Sequence, residues 1–375
     1  MLCLFCFKNK HTVKEKIKVA IIFGGRSTEH AISLLSAQNV LGSLDKEIYD
    51  PVLIGIDKKG QWHYNEKSMS LLNAQDANSI SMTEMDNPVL LSQNTNQRTL
   101  TSVNTKETIS RIDVIFPVLH GTFGEDGSIQ GLAKLANIPV VGCGVLGSAI
   151  GMDKDIMKRI LRDDNIGVAK WVTIKHTSKG VIYKDIVETL GNELFIKPAN
   201  LGSSVGISFS KDQESFFKGL ELALQFDPKV IIEEKIIGRE IECAVLGNEY
   251  PKASIPGEII PKDGFYSFEN KYLDESGAKL QIPADLTENQ IQRVQSLAID
   301  TFKLLECSGM SRIDMFMKED DSLIINEINT IPGFTNISMY PKLWEYSGLP
   351  QKELISKLIE LAIEAHTKQN KLKLT

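Results

Sequence analysis

Residues 311–316 read Ser-Arg-Ile-Asp-Met-Phe, and residues 323–329 read Leu-Ile-Ile-Asn-Glu-Ile-Asn. Both stretches are rich in β-branched and apolar residues, which predicts two strands. Successive side chains of a strand point to opposite faces, so Arg312, Asp314 and Phe316 are expected to share one face. The first stretch therefore places a guanidinium and a carboxylate side by side.

The second stretch is expected to supply the other half of a site. Strand alternation aligns Glu327 with Asn329. If the two strands pair, two carboxylates, an amide and a guanidinium face one spot. Such oxygens suit Mg²⁺, which commonly completes its ligand shell with nucleotide phosphates. The alternative interpretation is a solvated hairpin face. It explains less, because Asn329 leads into the long turn 330–338.

The amino-terminal third alternates strands with helices. Its first strand is an apolar run that suits burial on both faces, and Ser27 or Thr28 is expected to cap the helix that follows. The predicted elements are strands at 17–23, 51–56, 112–119 and 138–141, and helices at 29–41 and 128–136. This order predicts a parallel, doubly wound first domain.

The rest of the chain has a mixed α+β pattern. A helix at 148–164 is expected to lead into it. The predicted strands are 168–174, 194–197, 204–209, 229–234, 240–246, 310–317 and 322–328, and the predicted helices are 213–226, 287–306, 338–347 and 351–366. The long connection 256–283 carries charges and aromatic residues, as lids and binding loops do.

Three segments bear on nucleotide binding. Residues 142–147 fit GxGxxG, but the next predicted strand ends in Lys175-His176 rather than in the acid that binds a dinucleotide ribose. No P-loop motif occurs. A better phosphate candidate is 197–206, where glycines and hydroxyls follow a lysine, although an ordinary hairpin turn is the alternative. Residues 233–240 connect two strands and could meet an adenine ring.

Composition excludes several classes of protein. The chain has 375 residues, enough for two to three domains, and its 42 Lys and Arg against 48 Asp and Glu give a net charge of −6. That balance argues against a nucleic-acid partner. No apolar run reaches the roughly 18 residues of a membrane span, so a cytoplasmic protein without a membrane partner is expected. The five cysteines make no disulfide framework. Cys3 and Cys6 form a CxxC in an amino-terminal extension, residues 1–15, where two thiols without a metal or redox role are the favoured interpretation.

Together these segments resemble the ATP-grasp ligases, and among them the D-alanine–D-alanine ligases of peptidoglycan synthesis. The likeness covers about residues 16 to 366. The motifs that carry it lie at 24–33, 120–127, 152–154, 197–206, 233–240, 269–272, 312–314 and 326–339. The resemblance implies an ATP-grasp fold with an amino-terminal Rossmann-like domain. It divides the chain into a substrate-binding domain at 16–137, a central domain at 138–235 and a carboxyl-terminal domain at 236–375, with a lid loop at 256–283.

The resemblance also implies a role for each site residue. The implied ATP-binding residues are Lys154, Lys197, Ser203, Ser204, Glu233, Glu234, Ile236, Glu240 and Lys271. The implied ligands of two Mg²⁺ ions, for which Mn²⁺ can substitute, are Asp314, Glu327 and Asn329. Glu29 would pair with the ammonium of the first D-alanine, and Ser203 and Tyr272 would link that corner to the lid. Arg312 and Gly333 would form the oxyanion site. Ser338 and Met339 would receive the second carboxylate, and His120 would lie beside the substrates.

The implied reaction runs through an acyl phosphate. The carboxylate of the first D-alanine attacks the γ-phosphate of ATP, and the amine of the second then attacks the acyl carbon. Two rivals are a ligase that takes D-serine or D-lactate second and a catalytically inert ATP-binding module. Lys271-Tyr272 resembles the dipeptide-forming enzymes, and an inert module should lack a metal ligand or the arginine, which are all present. The family implies a homodimer.

Overall fold

Four β-sheets organise the chain in the computed structural model, which describes residues 15–64, 87–93, 97–178, 180–202, 205–261 and 278–373. The first sheet has the order β3-β2-β1-β7. Its strands are β1 (Ile17–Gly24), β2 (Tyr49–Ile56), β3 (Trp62–Tyr64) and β7 (Val114–Pro117). Strand β1 runs parallel to both β2 and β7.

Helices cover both faces of this sheet. Val19 and Ile21 share a core cluster with α1 (His30–Ser43), whereas Ala20 and Ile22 share another with α2 (Ser128–Leu135). The parallel, doubly wound prediction for this region is confirmed.

Two local predictions in this region were wrong. The N-cap residue of helix α1 is Glu29, and no side chain caps this helix. The Ser27 hydroxyl instead accepts the Glu29 N–H at 3.1 Å, and the Ser27 carbonyl accepts the His30 N–H. Residues 138–141 form an isolated bridge between Val140 and Ile115 instead of a strand.

Two smaller sheets follow along the chain. One is antiparallel and contains β4 (Val89–Leu91), β5 (Thr99–Ser102) and β6 (Thr108–Arg111). The other has the order β10-β9-β11-β8 and contains β8 (Trp171–Lys175), β9 (Leu194–Pro198), β10 (Ser208–Ser210) and β11 (Lys229–Glu234). Its helices are α5 (Tyr183–Leu190) and α6 (Gln213–Leu224). Strand β10 is shorter than the predicted strand 204–209.

The predicted helix 148–164 is two helices, α3 (Val145–Met152) and α4 (Lys154–Asp163). Asp153 between them has an extended backbone, and its carboxylate accepts the N–H groups of Asp155 and Ile156, each at 3.1 Å. An aspartate at an N-cap starts a new helix, and this capping breaks the run.

The largest sheet has the order β15-β14-β12-β16-β17, with β13 on β12. Its strands are β12 (Arg239–Gly247), β13 (Lys252–Ala253), β14 (Gly257–Pro261), β15 (Ala278–Gln281), β16 (Gly309–Met317) and β17 (Leu323–Asn329). Its helices are α7 (Glu288–Leu304), α8 (Met339–Tyr346) and α9 (Gln351–Gln369). The connection predicted at 256–283 therefore begins and ends in paired strands.

A single core cluster joins the first sheet to the largest one. It contains Val19 and Phe116 of the first sheet, Met310 of β16, and Leu358 of α9. This packing brings the carboxyl edge of the first sheet towards the β16–β17 pair. Of the helices within the described residues, none is long and apolar enough to cross a membrane.

Candidate active site

The paired strands β16 and β17 place the predicted polar residues opposite one another. They run antiparallel, with Arg312 opposite Asn329 and Asp314 opposite Glu327. The register shifts between Asp314 and Met315, immediately after this polar section. The predicted pairing of the two strands is confirmed.

Arg312 lies at the centre of this section. Its Nε and Nη2 atoms donate to the two carboxylate oxygens of Asp314, each at 2.7 Å. Its Nε atom is also 3.0 Å from Glu242 Oε2 on the neighbouring β12. Asn329 Nδ2 donates to Asp314 Oδ2 at 2.9 Å. Because a two-point arginine–carboxylate contact fixes the plane of the guanidinium, Arg312 is held rigidly.

A cavity of about 330 Å³ separates the β8–β11 sheet from the largest sheet. It is the size of a small-ligand site. The predicted ATP-binding residues that line it are Lys154, Lys197, Glu233, Glu234, Ile236 and Glu240, and Glu327 lines it as well. The residues proposed for the adenine end and for the metal end therefore share one cavity.

Lys154 connects the glycine-rich segment to the β16–β17 pair. Its Nζ atom donates to the Leu201 carbonyl at 2.7 Å and lies 3.5 Å from Glu327 Oε2. The residue is buried, so its charge acts in a region of weak solvent screening.

Glu233 pairs with two lysines, of which Lys197 lines the same cavity and Lys158 is fully buried. Its carboxylate oxygens are 2.8 Å from Lys197 Nζ and 3.1 Å from Lys158 Nζ. Burial alone would raise the pKa of Glu233, but Lys158 and Lys197 outweigh that effect and lower it to about 2. Burial likewise lowers the pKa of Lys158. Glu233 therefore stays ionised and fixes both cations beside the cavity.

A second group of polar residues lies at the carboxyl edge of the first sheet. Gly121 has a φ of +73°, and a Cβ there would lie 2.6 Å from Glu29 Oε2, so only glycine permits this approach. The carboxylate of Glu125 accepts the N–H groups of Gly121 at 2.8 Å and Ile331 at 3.1 Å. Burial, and then the charge of Glu29, raise the pKa of Glu125 to about 8. Two acidic side chains, Glu29 and Glu125, thus lie close together around Gly121, and this group is called the Glu29 corner.

His120 ties the same corner to the 330–338 turn. Its Nδ1 atom is 3.2 Å from the Ile331 carbonyl, and its Nε2 atom is 3.0 Å from Ser36 Oγ. Ser36 Oγ in turn accepts the Phe334 N–H at 3.3 Å. We assign the neutral tautomer with the proton on Nδ1, because only that form donates to a carbonyl and accepts from a hydroxyl. Burial lowers the pKa of His120 to about 4, which agrees with this assignment.

The 330–338 turn brings Gly333 and Ser338 together. A Cβ at Gly333 would lie 2.8 Å from Ser338 Oγ. Ser338 Oγ accepts the Thr335 N–H at 2.9 Å. The Met339 side chain belongs to the core cluster, so only its backbone N–H can serve the role predicted for that residue.

Four predicted residues lie outside the described residues. They are Ser203, Ser204, Lys271 and Tyr272. The CxxC cysteines Cys3 and Cys6 lie outside them as well.

Three charged residues of these clusters were missed by the sequence prediction. Lys158 follows Lys154 by four positions on one helix, and that spacing signals a shared face. Glu242 follows Glu240 by two positions on a strand and lies opposite Asp314. Glu125 belongs to the quoted 120–127 motif, but no local pattern indicates that it reaches Ile331.

The residues around Asp314 fit Mg²⁺. Asp314, Glu327 and Asn329 offer oxygen atoms, which this hard cation prefers. Within the described part of the chain, no group of three or more His, Cys, Asp or Glu residues makes a complete metal site. Mg²⁺ usually takes only one or two protein carboxylates and obtains the rest from substrate phosphates and water, so the incomplete set is the expected one.

The GxGxxG segment has a packing explanation. A Cβ at Gly147 would lie 2.6 Å from the Glu306 carbonyl oxygen, and one at Gly142 would lie 3.4 Å from the Met310 side chain. Gly147 permits α3 to approach the segment between α7 and β16 closely, and Gly142 lies against Met310 of β16.

Comparisons with known proteins agree with this arrangement. The family model described as "D-ala D-ala ligase N-terminus" matches residues 18–143, and the one described as "D-ala D-ala ligase C-terminus" matches residues 160–360. A D-alanine–D-alanine ligase of Oceanobacillus iheyensis is 50% identical over 359 residues, which cover 96% of this chain and 98% of that protein.

Two solved structures are similar over nearly the whole chain. The D-alanine–D-alanine ligase of Coxiella burnetii has a TM-score of 0.85 at 40% identity and covers 95% of this chain and 97% of its own. A D-Ala:D-Ser ligase of Enterococcus faecalis has a TM-score of 0.84 at 37% identity, and the match covers 93% of this chain and 100% of that chain. The architecture is therefore that of the ATP-grasp enzymes, with a Rossmann-like amino-terminal sheet. Within that class, the chain belongs to the D-alanine–D-alanine ligase family.

The buried His120 predicts a pH effect on stability. Its folded pKa of about 4 lies below the ordinary 6.5. Its contribution to the free energy of unfolding is therefore complete above pH 6.5 and is lost as the pH falls towards 4. We expect His120→Gln to reduce the stability difference between pH 7 and pH 5 by about 2 kcal/mol. Urea titrations at pH 7 and pH 5 measure the free energies of unfolding from which this difference is obtained.

The control is the exposed His176. His176→Gln should keep the wild-type difference between the two pH values. An unchanged difference in His120→Gln would contradict the assignment of a neutral buried imidazole.

Proposed function

We propose that this enzyme joins two D-alanine molecules to D-alanyl-D-alanine, with ATP converted to ADP and phosphate, as a step in peptidoglycan precursor synthesis. The observation that carries the proposal is the Arg312 cluster. It lies on the strand pair whose Glu327 lines the nucleotide-sized cavity, and the turn containing Gly333 follows directly from β17. One site thus offers a place for phosphoryl transfer next to a place for an oxyanion.

ATP is proposed to occupy the cavity between the two sheets. Glu233, Glu234, Ile236 and Glu240 would line the adenosine end. Lys154 and Lys197 would contact the phosphates, since both ammonium groups already lie at the cavity wall. We assign Ser203, Ser204 and Lys271 to the same ATP site by resemblance.

Asp314, Glu327 and Asn329 are proposed to hold two Mg²⁺ ions, for which Mn²⁺ can substitute. When bound, these ions neutralise charge on the phosphoryl group. The protein's own part is to orient the Asp314 carboxylate, which the Arg312 contact does.

The first D-alanine is proposed to bind at the Glu29 corner. The Glu29 carboxylate would accept its ammonium group. His120 would form one wall. Ser203 and Tyr272 are assigned to this corner by resemblance. A carboxylate oxygen of D-alanine then attacks the γ-phosphorus of ATP, the bond from that phosphorus to ADP breaks, and an acyl phosphate results.

The second D-alanine is proposed to bind beside the 330–338 turn. The Ser338 hydroxyl and the backbone N–H of Met339 would receive its carboxylate. Its amine attacks the acyl carbon, and the tetrahedral intermediate places its oxyanion at Arg312 and the Gly333 N–H. Collapse of the intermediate forms the amide bond, releases phosphate and frees the amine proton.

We extend the proposal to the organisation of the chain. Residues 1–15 are assigned to an extension, 16–137 to substrate binding, 138–235 to the central ATP-grasp domain and 236–375 to the carboxyl-terminal one. The connection 256–283 is assigned as the lid. The proposed assembly is a homodimer in the cytoplasm, without a nucleic-acid or membrane partner.

A D-Ala–D-Ser ligase is the second candidate, because a structure of that specificity is 37% identical to this chain. D-Lactate is a weaker alternative second substrate. The Lys271-Tyr272 pair favours the dipeptide by resemblance.

Phosphate release in the presence of ATP and Mg²⁺ tests the proposal. We expect turnover with D-alanine alone, a product with the mass of the dipeptide, and no turnover with L-alanine. No phosphate release with D-alanine alone, but release with D-alanine plus D-serine or D-lactate, would indicate a ligase that joins two different substrates. No phosphate release with any of these substrate pairs would indicate an inert ATP-binding module.

Arg312→Met should lower kcat by about 10² to 10³, since an oxyanion donor is worth roughly that factor. Affinity for ATP in the absence of Mg²⁺ should change little, because Arg312 does not line the nucleotide cavity. Steady-state kinetics and ATP titration measure the two effects.

The matched control is Arg293→Met. Arg293 is an exposed arginine whose Nη2 atom donates to the Asp321 carbonyl at 2.8 Å, so its loss should leave kcat near wild type. A wild-type kcat in Arg312→Met would rule out the oxyanion role.

A further inference from the structure

A second cavity, of about 340 Å³, opens at the carboxyl edge of the first sheet. It is lined by the ends of β1 and β2, the start of β3, the segment that follows β7 and the start of α2. Among the described residues that are proposed for catalysis and ATP binding, only His120 lines it. Its volume lies in the range of small-molecule sites.

Its position in the fold is one where ligands bind. The order β3-β2-β1-β7 places β2 on one side of β1 and β7 on the other. In open α/β sheets, the crevice at the carboxyl ends of the strands around such a reversal holds ligands. The Glu29 corner uses the α1 side of this edge, whereas Ser128, Ile129 and Leu132 of α2 line the second cavity.

The lining combines an apolar surface with cations. The apolar side chains are Ile56, Trp62, Leu119, Phe123, Ile129 and Leu132. Arg26 and Lys59 are the charged side chains among the described lining residues. In the part of the chain that the structure describes, neither cation has a carboxylate at ion-pair distance.

The neighbouring acids are engaged elsewhere. Asp57 accepts the backbone N–H groups of Lys59 at 2.8 Å and Gln61 at 2.9 Å. Asp126 accepts those of Phe123 and Ser128, each at 2.9 Å. Neither aspartate lines the cavity, so the charge that the described residues present to it is positive.

Phe123 is held in a strained conformation at this cavity. Its φ is +66°, which is rare for a bulky side chain. The ring lies 4.5 Å below the Arg26 guanidinium, although the side chain is 42% exposed. Strain of this kind concentrates at ligand sites, and here it places an aromatic surface beside a cation.

We propose that this cavity binds a small organic anion with an aromatic or apolar body. The anionic group would lie between Arg26 and Lys59, and the body would pack against Trp62 and Leu119. Among the described residues, the cavity shares His120 with the site proposed for the first D-alanine and shares no residue with the ATP cavity.

The test uses 8-anilinonaphthalene-1-sulfonate, an aromatic anion whose fluorescence rises in apolar surroundings. The probe should bind the full-length protein saturably at one site, and ATP with D-alanine should not displace it. Energy transfer from tryptophan should fall more in Trp62→Phe than in Trp171→Phe, because Trp62 lines the cavity.

Charge reversal tests the anion contact. Arg26→Glu combined with Lys59→Glu should weaken probe binding by about tenfold or more, the expected effect of reversing two close charges. The control Lys303→Glu makes the same change at an exposed lysine on α7 and should bind as wild type. Retained ATP binding shows that the double variant is folded.

The proposal is overturned by absence of saturable binding, by displacement with ATP and D-alanine, or by equal affinity in wild type and the folded double variant.

Discussion

The contact between Arg312 and Asp314 is the interaction on which the rest of the site depends. Asp314 and Glu242 are 2% and 4% exposed, and removing the partner of a buried charge is strongly destabilising. Arg312 serves both. The contact holds the polar faces of β12 and β16 together, and Asn329 brings β17 to the same point. Structure and proposed catalysis therefore rely on the same guanidinium.

Three further residues bring the other sheets to this strand pair. Lys154 links Leu201, which follows β9, to Glu327. On the opposite side, Glu125 and His120, which follow β7 of the first sheet, hold the backbone of Ile331. These contacts are buried and charged or fully hydrogen-bonded, so they fix geometry more than they add stability. The proposed acyl phosphate would form where the first sheet, the β8–β11 sheet and the largest sheet meet.

Much of this arrangement could be predicted from sequence because the signals were local. Strand alternation aligned Arg312 with Asp314, and strands alternating with helices gave the parallel first sheet. The break at Asp153 was missed because apolar periodicity continues through it, while the cap that ends the run depends on one side chain. Glu125 was missed for a different reason: its partner Ile331 is 206 positions away, and only packing shows the contact.

In the proposed reaction, this site activates D-alanine as an acyl phosphate. D-Alanine labelled with ¹⁸O in both carboxylate oxygens tests this step through the mass of the released phosphate. Each phosphate should carry one ¹⁸O atom, because the C–O bond to phosphate breaks when the tetrahedral intermediate collapses. Dipeptide formation with unlabelled phosphate would contradict it.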